Sequence, residues 1–429
     1  MEQEGRRMKV AGHIRPPGDK SITHRALILG GLSRTRVELY GALTALDAKS
    51  TARVLRQLGV AVGPLRRGEA VTVRGRAWRR PAGTLNCGNS GTTARLMLGC
   101  LAGHRFEARL TGDASLRRRP MRRITDRLVQ LGAKVSEEAG DGLPLRIRGG
   151  QLVPCRFVNS VASAQVKSAL LLAGLAGGVS VTVVEPARSR DHTERLLRHL
   201  GMDIRVDAGE ITLQGTGDSW PRTNPFELQI PGDASSVAFL VAAAILADRG
   251  ELLIENVGIN PTRSGYLAVL QRMGARVRLE AEREICGEPV ADLVVCPADL
   301  TATEVTADEI PGLIDEVPVL AGLAAKAVGE TVFRSVGELR VKESNRLVLM
   351  AENLRAVGAE AVVEGDDLHV VGSRRPLRGR VETGGDHRLA MTFAVLGLTT
   401  GARVELSEAA SAGVSYPGFF EDLLLVTGR

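Results

Sequence analysis

Residues 16–33, PPGDKSITHRALILGGLS, place hydroxyl and cationic side chains at the start of an apolar helix. Two prolines, a glycine and Asp19 interrupt the chain, and Lys20, Ser21 and Arg25 follow in or beside the first helical turn. A helix N-terminus presents unpaired N–H groups and positive dipole density, so two added cations favour anion binding there. An ordinary N-cap by Asp19 or Ser21, with the cations as surface charges, explains this stretch equally well.

The starts of other apolar helices carry similar polar clusters. The turn at 88–93 is rich in glycine, which lets backbone N–H groups approach an anion closely, although such turns are more often structural. It contains neither the Walker A pattern nor the dinucleotide fingerprint. The run 117–119 consists of three arginines that suit carboxylate or phosphate recognition, with a solvated basic face as the alternative. Hydroxyl, amide and cationic groups at Ser163, Gln165 and Lys167 open another apolar helix and suit the binding of a polyol or a phosphate. Arg188, Ser189 and Arg190 repeat this pattern.

Two later motifs add groups that can exchange protons. Asp315 and Glu316 stand just ahead of a helix that is apolar enough to be buried. Lys342, Glu343 and Arg346 are predicted to share one helical turn, in which positions 342 and 346 lie on one face. An acid between two cations suits acid–base catalysis on an anion, whereas a surface pair four residues apart is the ordinary alternative. A last polar cluster precedes another apolar helix and consists of Asp386, His387 and Arg388.

The elements that would position these residues recur along the chain. An amphipathic helix that ends in glycine, followed by a β-like run, occurs five times, with the glycines at 59, 132, 201, 274 and 358, and a truncated sixth copy ends at the glycine at 428. A second, almost wholly apolar helix alternates with it, and short alternating strands lie between the two. A period of about 70 residues is too long for a simple solenoid, so we expect six small α/β units. A boundary near residues 228–234 divides them three and three.

Composition restricts the classes of function. The chain has 429 residues and a hydrophobic content of 44%, enough for two sizeable cores. Its net charge of +7 would suit nucleic acid, but aromatic residues for base stacking make up only 3%. The five cysteines form no CxxC pair, so no disulfide framework or zinc site is predicted. With no apolar leader and no run long enough to span a membrane, we expect a cytoplasmic protein without nucleic-acid or membrane partners.

Nine motifs follow one another along the chain: PGDKSITHRALIL, GNSGTTARLM, RRRPM, SAQVKSALL, SRDHTERLL, PGDASS, IDEVPVLA, LRVKESNRL and GGDHRLAMTF. In order and spacing they resemble the 5-enolpyruvylshikimate-3-phosphate synthase family, and the resemblance covers residues 9–429. It implies an α/β fold of two domains, each a threefold repeat of a small βαβαββ-type unit with buried parallel helices. The implied domains are 19–230, and 1–18 together with 231–429, so that two chain crossings form a hinge.

The same resemblance implies a reaction. Members of the family transfer the carboxyvinyl (enolpyruvyl) group of phosphoenolpyruvate to the 5-hydroxyl of shikimate 3-phosphate and release phosphate, by addition and elimination. The reaction belongs to the shikimate pathway of aromatic amino-acid biosynthesis. The expected partners are therefore these two anionic small molecules, with no cofactor and no metal. The resemblance further implies a monomer that is a target of glyphosate, and the glycine at position 91 favours sensitivity to that inhibitor.

Site residues carry over at the positions that match the family's motifs. The residues implied to bind phosphoenolpyruvate are Lys20, Gly91, Arg119, Gln165, Arg346 and Arg388. Those implied to bind shikimate 3-phosphate are Lys20, Ser21, Arg25, Ser163, Ala164, Gln165, Ser189, Arg190, Asp315 and Lys342. Asp315 is implied to accept the proton of the 5-hydroxyl. Glu343 and Lys342 are implied to transfer protons at the vinyl carbon and the bridging oxygen. Lys20 is the fourth implied catalytic group.

Two positions depart from the family pattern. Ala164 stands where many members have a second serine, and Val414 stands where some carry a lysine. A related family transfers the same group to UDP-N-acetylglucosamine, but it has a reactive cysteine in an arginine-rich loop, and residues 114–123 here contain none. A basic module that binds nucleic acid without catalysis is the alternative from another class, and a steeply salt-dependent affinity for DNA would support it.

Overall fold

The structure is a computed structural model that describes residues 7–138, 140–160, 162–216 and 222–428. Two 3₁₀ helices in this part of the chain span Gly337–Val341 and Ala409–Val414. The fourteen α-helices of these residues, labelled in chain order, are α1 (Lys20–Leu32), α2 (Leu46–Gln57), α3 (Gly91–Ala102), α4 (Ala114–Arg117), α5 (Arg122–Leu131), α6 (Ala164–Gly177), α7 (His192–His199), α8 (Ala234–Ile245), α9 (Gly265–Arg272), α10 (Ile310–Leu313), α11 (Val317–Ala324), α12 (Arg346–Ala356), α13 (His387–Gly397) and α14 (Phe419–Thr427).

The strands are short, and most have two to five residues. Those of the described residues are β1 (Gly12–Ile14), β2 (Arg36–Tyr40), β3 (Ala61–Val62), β4 (Val71–Arg74), β5 (Leu85–Asn86), β6 (Glu107–Thr111), β7 (Lys134–Glu137), β8 (Leu145–Arg148), β9 (Cys155–Val158), β10 (Val181–Val184), β11 (Ile204–Asp207), β12 (Glu210–Leu213), β13 (Phe226–Gln229), β14 (Leu252–Gly258), β15 (Arg276–Ile285), β16 (Glu288–Cys296), β17 (Glu304–Val305), β18 (Glu330–Phe333), β19 (Glu360–Glu364), β20 (Asp367–Val371), β21 (Arg378–Val381) and β22 (Arg403–Leu406).

Five four-stranded sheets repeat one topology. In each, an outer strand pairs parallel with a central strand, the central strand pairs antiparallel with a third, and a fourth completes the sheet. The remaining sheet among the described residues is the parallel pair β21-β22. The βαβαββ unit and the α/β fold class expected from the sequence are therefore confirmed. The five strand orders are β13-β2-β4-β3, β5-β6-β8-β7, β9-β10-β12-β11, β1-β14-β16-β15 and β17-β18-β20-β19.

The described residues fall into two compact units. Unit I comprises Gly18–Ile230 and Ile285–Glu288, and unit II comprises the described parts of Met1–Pro17, Pro231–Glu284 and Pro289–Arg429. In unit I, β13 is the outer strand beside β2. In unit II, β1 is the outer strand beside β14. The first repeat of each unit therefore takes its outer strand from a distant part of the chain.

Six almost wholly apolar helices, one in each repeat, form the interior of the two units. All 12 residues of α8 are buried, and so is the α1 segment 22–32. Each unit has its own hydrophobic core. In unit I, a Cβ on Gly99 would lie 2.1 Å from the carbonyl oxygen of Ala169. Helices α3 and α6 therefore pack backbone against backbone, which only glycine permits at this position.

The six glycines of the sequence repeat share one backbone conformation. Their φ angles are 95°, 115°, 78°, 86°, 90° and 62° in chain order. Each glycine follows one of the amphipathic helices α2, α5, α7, α9, α12 and α14. Residues with a Cβ rarely adopt this left-handed conformation, and glycine is the usual residue just beyond a helix C-terminus. The spacing of these glycines in the sequence therefore reports the structural period.

No helix in the part of the chain that the structure describes is both long and apolar enough to cross a bilayer. All five cysteines are free thiols.

Candidate active site

Helix α1 of unit I begins with a cap and a paired ammonium group. The Asp19 carboxylate accepts a hydrogen bond from the Ile22 amide at 2.8 Å. This is the N-cap that the sequence offers for this helix. The Lys20 ammonium lies 3.3 Å from Asp47 Oδ2, and the two side chains are 19% and 13% exposed. A partly exposed ammonium can exchange its carboxylate partner for a substrate anion. Capping and anion binding are therefore compatible at this helix start.

His24 belongs to the core of unit I although it lies in the same helical turn. Its ring is fully buried, and Nδ1 lies 2.7 Å from Thr51 Oγ1. Burial, together with the charges of Lys20 and Arg25, lowers the pKa of His24 to about 3. The imidazole is therefore neutral at physiological pH and is not part of an anion site.

Arg25 is a buried cation that neutral oxygens hold in place. Its Nε donates to Thr193 Oγ1 at 2.6 Å, its Nη2 to Ser168 Oγ at 2.6 Å, and its Nη1 to the Ser21 carbonyl at 2.9 Å. Burial lowers the pKa of Arg25 to about 10, which leaves the guanidinium charged at neutral pH. These three bonds fix a positive charge without neutralising it, which is what recognition of a carboxylate or phosphate requires.

The starts of α3 and α6 bring three of the residues expected to bind phosphoenolpyruvate into one cluster. A Cβ on Gly91 would lie 3.3 Å from Nη1 of both Arg119 and Arg95. Arg95 Nη1 donates to Gln165 Oε1 at 2.6 Å, and Gln165 Nε2 donates to Thr92 Oγ1 at 3.1 Å. Arg95 therefore links Gly91 to Gln165. Arg95 lies inside the GNSGTTARLM motif but is not among the site residues expected from the sequence.

The residues expected around a phosphate lie at and near the start of α6. Ser163 caps this helix through its side chain, and Ala164 is the first helical residue. The Ser189 hydroxyl donates to Glu185 Oε1 at 2.6 Å, so it must release Glu185 before it can donate to a phosphate. Arg190 is half-buried.

Lys167 supports this region from within the core and is not exposed to a substrate. Its side chain is 1% exposed, and Nζ lies 2.7 Å from Glu185 Oε2 and 2.6 Å from Glu194 Oε1. Burial raises the pKa of Glu194. Asn159 connects the same network to α6, since its Nδ2 donates to Glu185 Oε1 at 2.8 Å and to the Ser163 carbonyl at 3.2 Å. The expectation that Lys167 helps to bind a polyol or a phosphate is therefore wrong.

In unit II, Asp315 lies two residues ahead of the buried helix α11, as the sequence predicts. Its Oδ1 lies 3.3 Å from Lys342 Nζ and 3.9 Å from Arg346 Nη1. Its Oδ2 lies 3.3 Å from Arg263 Nη1, and the carboxylate remains 17% exposed. Three cations therefore surround one carboxylate that still reaches solvent.

Lys342 and Arg346 do not share a helical turn, so that prediction is wrong. Lys342 follows the 3₁₀ helix Gly337–Val341 with a ψ of −149°, and α12 begins only at Arg346. The extended ψ interrupts the helical path, and the Asn345 side chain then caps the new helix by accepting an amide of its first turn at 3.4 Å. The two cations meet at Asp315 Oδ1 instead.

Arg346 is buried and paired on two sides. Nε lies 2.9 Å from Asp386 Oδ2, and Nη2 lies 2.6 Å from Glu343 Oε2. Burial alone would lower the pKa of Arg346, but Asp386, Glu343 and Asp315 raise it above the ordinary value. Burial would likewise raise the pKa of Asp386, but Arg346 lowers it. Both groups of the pair are therefore ionised.

Arg388 completes the cluster of unit II. Asp386 caps helix α13, and Arg388 Nη1 donates to the Asp315 carbonyl at 2.7 Å. The same Nη1 lies 3.5 Å from Glu316 Oε1, whose side chain is fully buried. Across the described ranges, no group of three or more histidine, cysteine, aspartate or glutamate side chains is arranged to hold a metal ion. The expected site residues that unit II brings together are Asp315, Lys342, Glu343, Arg346 and Arg388.

Sequence relatives identify the family. The family model described as EPSP synthase (3-phosphoshikimate 1-carboxyvinyltransferase) matches residues 5–423. A 3-phosphoshikimate 1-carboxyvinyltransferase of Desulfitobacterium hafniense is 46% identical over 417 residues, which cover 96% of this chain and 94% of that protein. One of Synechococcus elongatus is 46% identical over 423 residues, which cover 97% of this chain and 94% of that protein.

Solved structures agree with these relatives. An EPSP synthase of Acinetobacter baumannii has a TM-score of 0.86 and 36% identity, covering 98% of this chain and 97% of that one. The enolpyruvyl transferase NikO of Streptomyces tendae has a TM-score of 0.77 at 21% identity, a likeness of fold alone. The fold is therefore the two-domain α/β repeat fold of the enolpyruvyl transferases. Within that class, the chain belongs to the EPSP synthase family.

Proposed function

We propose a role for each group of site residues in the transfer reaction of this family. The chain is a transferase that moves the enolpyruvyl group of phosphoenolpyruvate to shikimate 3-phosphate in the shikimate pathway. Both substrates are highly charged small molecules, so binding and catalysis depend chiefly on charges fixed before the substrates arrive.

Unit I binds shikimate 3-phosphate. Arg25 and Ser21 bind its carboxylate, and the rigid hydrogen bonding of Arg25 supports this role. The start of α6 offers backbone N–H groups and positive dipole density to the 3-phosphate. Ser189 exchanges Glu185 for a phosphate oxygen on binding. The proposed ligands of the 3-phosphate are Ser163, Ala164, Ser189 and Arg190, with Lys20 and Gln165 as further contacts to the substrate.

The residues proposed to bind phosphoenolpyruvate include several cations. In unit I these are Lys20 and Arg119, with Gly91 and Gln165 next to Arg119 in the α3–α6 cluster. In unit II they are Arg346 and Arg388. Arginine binds carboxylate and phosphate through two parallel hydrogen bonds, which suits a substrate that carries both groups.

Asp315, Lys342 and Glu343 transfer the protons. In the addition step, the O5–H bond of shikimate 3-phosphate breaks, the proton passes to Asp315, and O5 bonds to C2 of phosphoenolpyruvate. C3 takes a proton from the Lys342 and Glu343 pair and becomes a methyl group. In the elimination step, the methyl group returns one proton to Lys342 or Glu343, the C2–C3 double bond forms again as the C2–O bond to phosphate breaks, and phosphate leaves with the proton that Asp315 took from O5. No net proton or electron is left over.

The surroundings of Asp315 Oδ1 are the main support for this proton-transfer role. A carboxylate that is 17% exposed and lies 3.3 Å from an ammonium group is both reachable and next to a second proton-transfer group. Glu343 is 25% exposed and lies next to Lys342 in sequence. General acid–base catalysis needs a proton donor and a proton acceptor close together at the substrate, and the 3.3 Å separation of Asp315 and Lys342 supports this role.

The test follows the reaction in D₂O by ³¹P and ¹H NMR. We expect phosphate release from phosphoenolpyruvate with shikimate 3-phosphate as acceptor, none with UDP-N-acetylglucosamine, and deuterium in the vinyl group of the product. Glu343→Gln slows both release and deuterium incorporation, whereas Glu352→Gln, an exposed position of α12, leaves both unchanged. Transfer to UDP-N-acetylglucosamine alone, or a fully active Glu343→Gln variant, would contradict these assignments.

We further propose that the chain works as a monomer in the cytoplasm. All five cysteines are free thiols, which is usual in a reducing compartment. Light scattering on the purified protein tests the first part: a mass near 45.6 kDa supports a monomer, and twice that mass contradicts it.

A further inference from the structure

Arg263 is a buried arginine of unit II that lies outside the sequence motifs and the implied site residues. It lies in the turn between β14 and α9, and its side chain is 3% exposed. Asn260 shapes this turn, since its side-chain oxygen accepts from the Thr262 amide at 2.9 Å and from the Thr262 hydroxyl at 2.8 Å. The Asn260 carbonyl accepts a hydrogen bond from the Arg263 amide at 2.8 Å. The turn itself therefore fixes the backbone from which Arg263 extends.

The Arg263 guanidinium faces three carboxylates. Nη2 lies 3.6 Å from Asp233 Oδ1, and Nη1 lies 3.3 Å from Asp315 Oδ2 and 3.5 Å from Glu316 Oε1. The side chains of Asp233 and Glu316 are 4% and 0% exposed. Without a cation between them, these buried negative charges would oppose the ionisation of Asp315. Arg263 therefore compensates the charges that surround Asp315 on its buried side.

The two oxygens of Asp315 have different surroundings. Oδ2 faces the buried guanidinium of Arg263 at 3.3 Å. Oδ1 faces Lys342, whose side chain is 27% exposed. Arg346 Nη1 lies farther from Oδ1, at 3.9 Å. Because a proton acceptor must be reachable by its donor, the oxygen beside the exposed group is the one suited to a substrate hydroxyl.

We propose that Arg263 is a positioning residue for the reaction: it holds Oδ2 of Asp315 and leaves Oδ1 as the atom that accepts the 5-hydroxyl proton. The inference rests on the role proposed above for Asp315. In this step the O5–H bond breaks, the proton bonds to Oδ1, and the electron pair of that bond remains on O5, which attacks C2 of phosphoenolpyruvate. Asp233 and Glu316 keep the guanidinium in place when Asp315 becomes neutral.

The test measures phosphate release at saturating substrates across the pH range in Arg263 variants. Arg263→Gln lowers kcat roughly 100-fold with little change in KM, as expected when a catalytic group is misplaced. The acidic limb of its pH profile moves to higher pH, because Asp315 then faces Asp233 and Glu316 without a compensating cation. Arg263→Lys keeps the charge and hence the wild-type limb, but loses about tenfold in kcat because one ammonium cannot reproduce the guanidinium geometry.

Glu316→Gln should shift the acidic limb of the pH profile in the opposite direction. It removes one negative charge beside Asp315 and keeps Arg263, so the acidic limb moves to lower pH. Arg272→Gln is the matched control, because Arg272 is 40% exposed on α9 and pairs with Glu309 at 2.7 Å. We expect it to leave kcat and the pH profile unchanged. Among the groups that face Arg263 and Asp315 are Asp233, Tyr266, Glu316, Lys342, Arg346 and Arg388.

A merely structural role for Arg263 predicts a different pattern. It would lower the melting temperature and the folded fraction but leave the acidic limb of the folded enzyme in place. An unshifted limb in folded Arg263→Gln, or shifts of the same sign in Arg263→Gln and Glu316→Gln, would overturn the positioning role. If Arg263→Gln does not fold, full kcat in Arg263→Lys or an upward shift in Glu316→Gln overturns it. Absence of phosphate release by the wild-type chain would instead contradict the function proposed for Asp315.

Discussion

At the scale of single residues, the charged side chains of the site are held in place without a substrate. Arg25 is fixed by three neutral acceptors, and Arg346 is fixed by Asp386 at 2.9 Å. Charges oriented in advance stabilise a transition state without the reorganisation that mobile groups need. Some contacts must nevertheless break on binding in the proposed reaction, since Lys20 lies 3.3 Å from Asp47 and must turn to an anion.

Gly91→Ala should weaken phosphoenolpyruvate binding. The added Cβ would lie 3.3 Å from the guanidinium nitrogens of Arg119 and Arg95, so both must shift by a few tenths of an ångström. We expect KM for phosphoenolpyruvate to rise about tenfold, the factor that corresponds to ~1.4 kcal/mol, with a smaller change for shikimate 3-phosphate. Gly83→Ala is the control, because nothing lies within 4 Å of its added Cβ. Equal KM values in wild type and Gly91→Ala would contradict the assignment of this cluster.

Arg25→Ala should weaken shikimate 3-phosphate binding far more than phosphoenolpyruvate binding. The variant removes a fixed cation from the proposed carboxylate site, and a charged hydrogen bond contributes about 1.5–3 kcal/mol. We therefore expect Kd for shikimate 3-phosphate to rise at least tenfold in calorimetric titrations. Arg109→Ala, a partly exposed arginine that pairs with Glu138, serves as the control. Equal weakening of both substrates would contradict the division of roles in unit I.

The sequence indicated which helix starts carry clusters of polar and charged groups, because glycine, proline and capping residues mark such starts locally. It did not indicate what each side chain contacts. The interpretation of Lys167 failed because its partners, Glu185 and Glu194, lie 18 or more residues away and become neighbours only in the fold. Arg263 was overlooked for the same reason, since Asp315 is 52 residues distant.

At the scale of helices, close packing sets where the clusters lie. Helices α3 and α6 touch through Gly99 and the backbone of Ala169. Their N-termini therefore lie near each other, and Arg95 on α3 reaches Gln165 on α6 at 2.6 Å. A change at this contact should move both helix starts.

Gly99→Ala should destabilise unit I although alanine is the better helix former. In an open position, alanine would stabilise a helix by roughly 1 kcal/mol relative to glycine. Here the Cβ would lie 2.1 Å from the Ala169 carbonyl oxygen, so overpacking should instead reduce the free energy of unfolding by roughly 1–3 kcal/mol. Gly312→Ala, in α10 with nothing within 4 Å, is the control and should not destabilise. Urea titration measures the free energy of unfolding of both variants. A Gly99→Ala variant more stable than the wild type would contradict the close packing of α3 against α6.

The repeat itself was readable from the sequence, because six glycines beyond helix C-termini need a positive φ and mark the period. Which segment provides the outer strand of each sheet was not readable from the sequence. Strand β13 pairs with β2, and most of Gly18–Ile230 lies between them in sequence. Strand β1 pairs with β14, and the whole of Gly18–Ile230 lies between them. A local period shows that each repeat has an outer strand but does not show which segment provides it.

At the scale of the whole molecule, the net charge of +7 accompanies cationic groups at helix starts in both units. With few aromatic residues for base stacking, such a charge is better matched to small anions than to nucleic acid. Stability is also linked to pH, because unit I buries the neutral ring of His24 in its core. Its pKa is about 3 in the folded chain, below the ordinary value of 6.5.

Stability should therefore fall as the pH drops below about 6.5. Over this range the unfolded chain binds a proton at His24 that the folded chain excludes until about pH 3. One such proton changes the free energy of unfolding by about 1.4 kcal/mol per pH unit. His24→Gln removes this titration, so the slope of stability against pH in urea titrations should flatten by that amount. An equal slope in the wild type and in His24→Gln would contradict the buried neutral ring.

The most direct test of the mechanism compares phosphate release by the wild-type chain and by Asp315→Asn, with phosphoenolpyruvate and shikimate 3-phosphate both present. The control is Asp366→Asn, at a position that is 65% exposed in unit II. We expect Asp315→Asn to bind both substrates nearly as the wild type does, while kcat falls by roughly 10²–10⁴ because the acceptor of the 5-hydroxyl proton is lost. Wild-type kcat in Asp315→Asn would contradict the central role of this carboxylate.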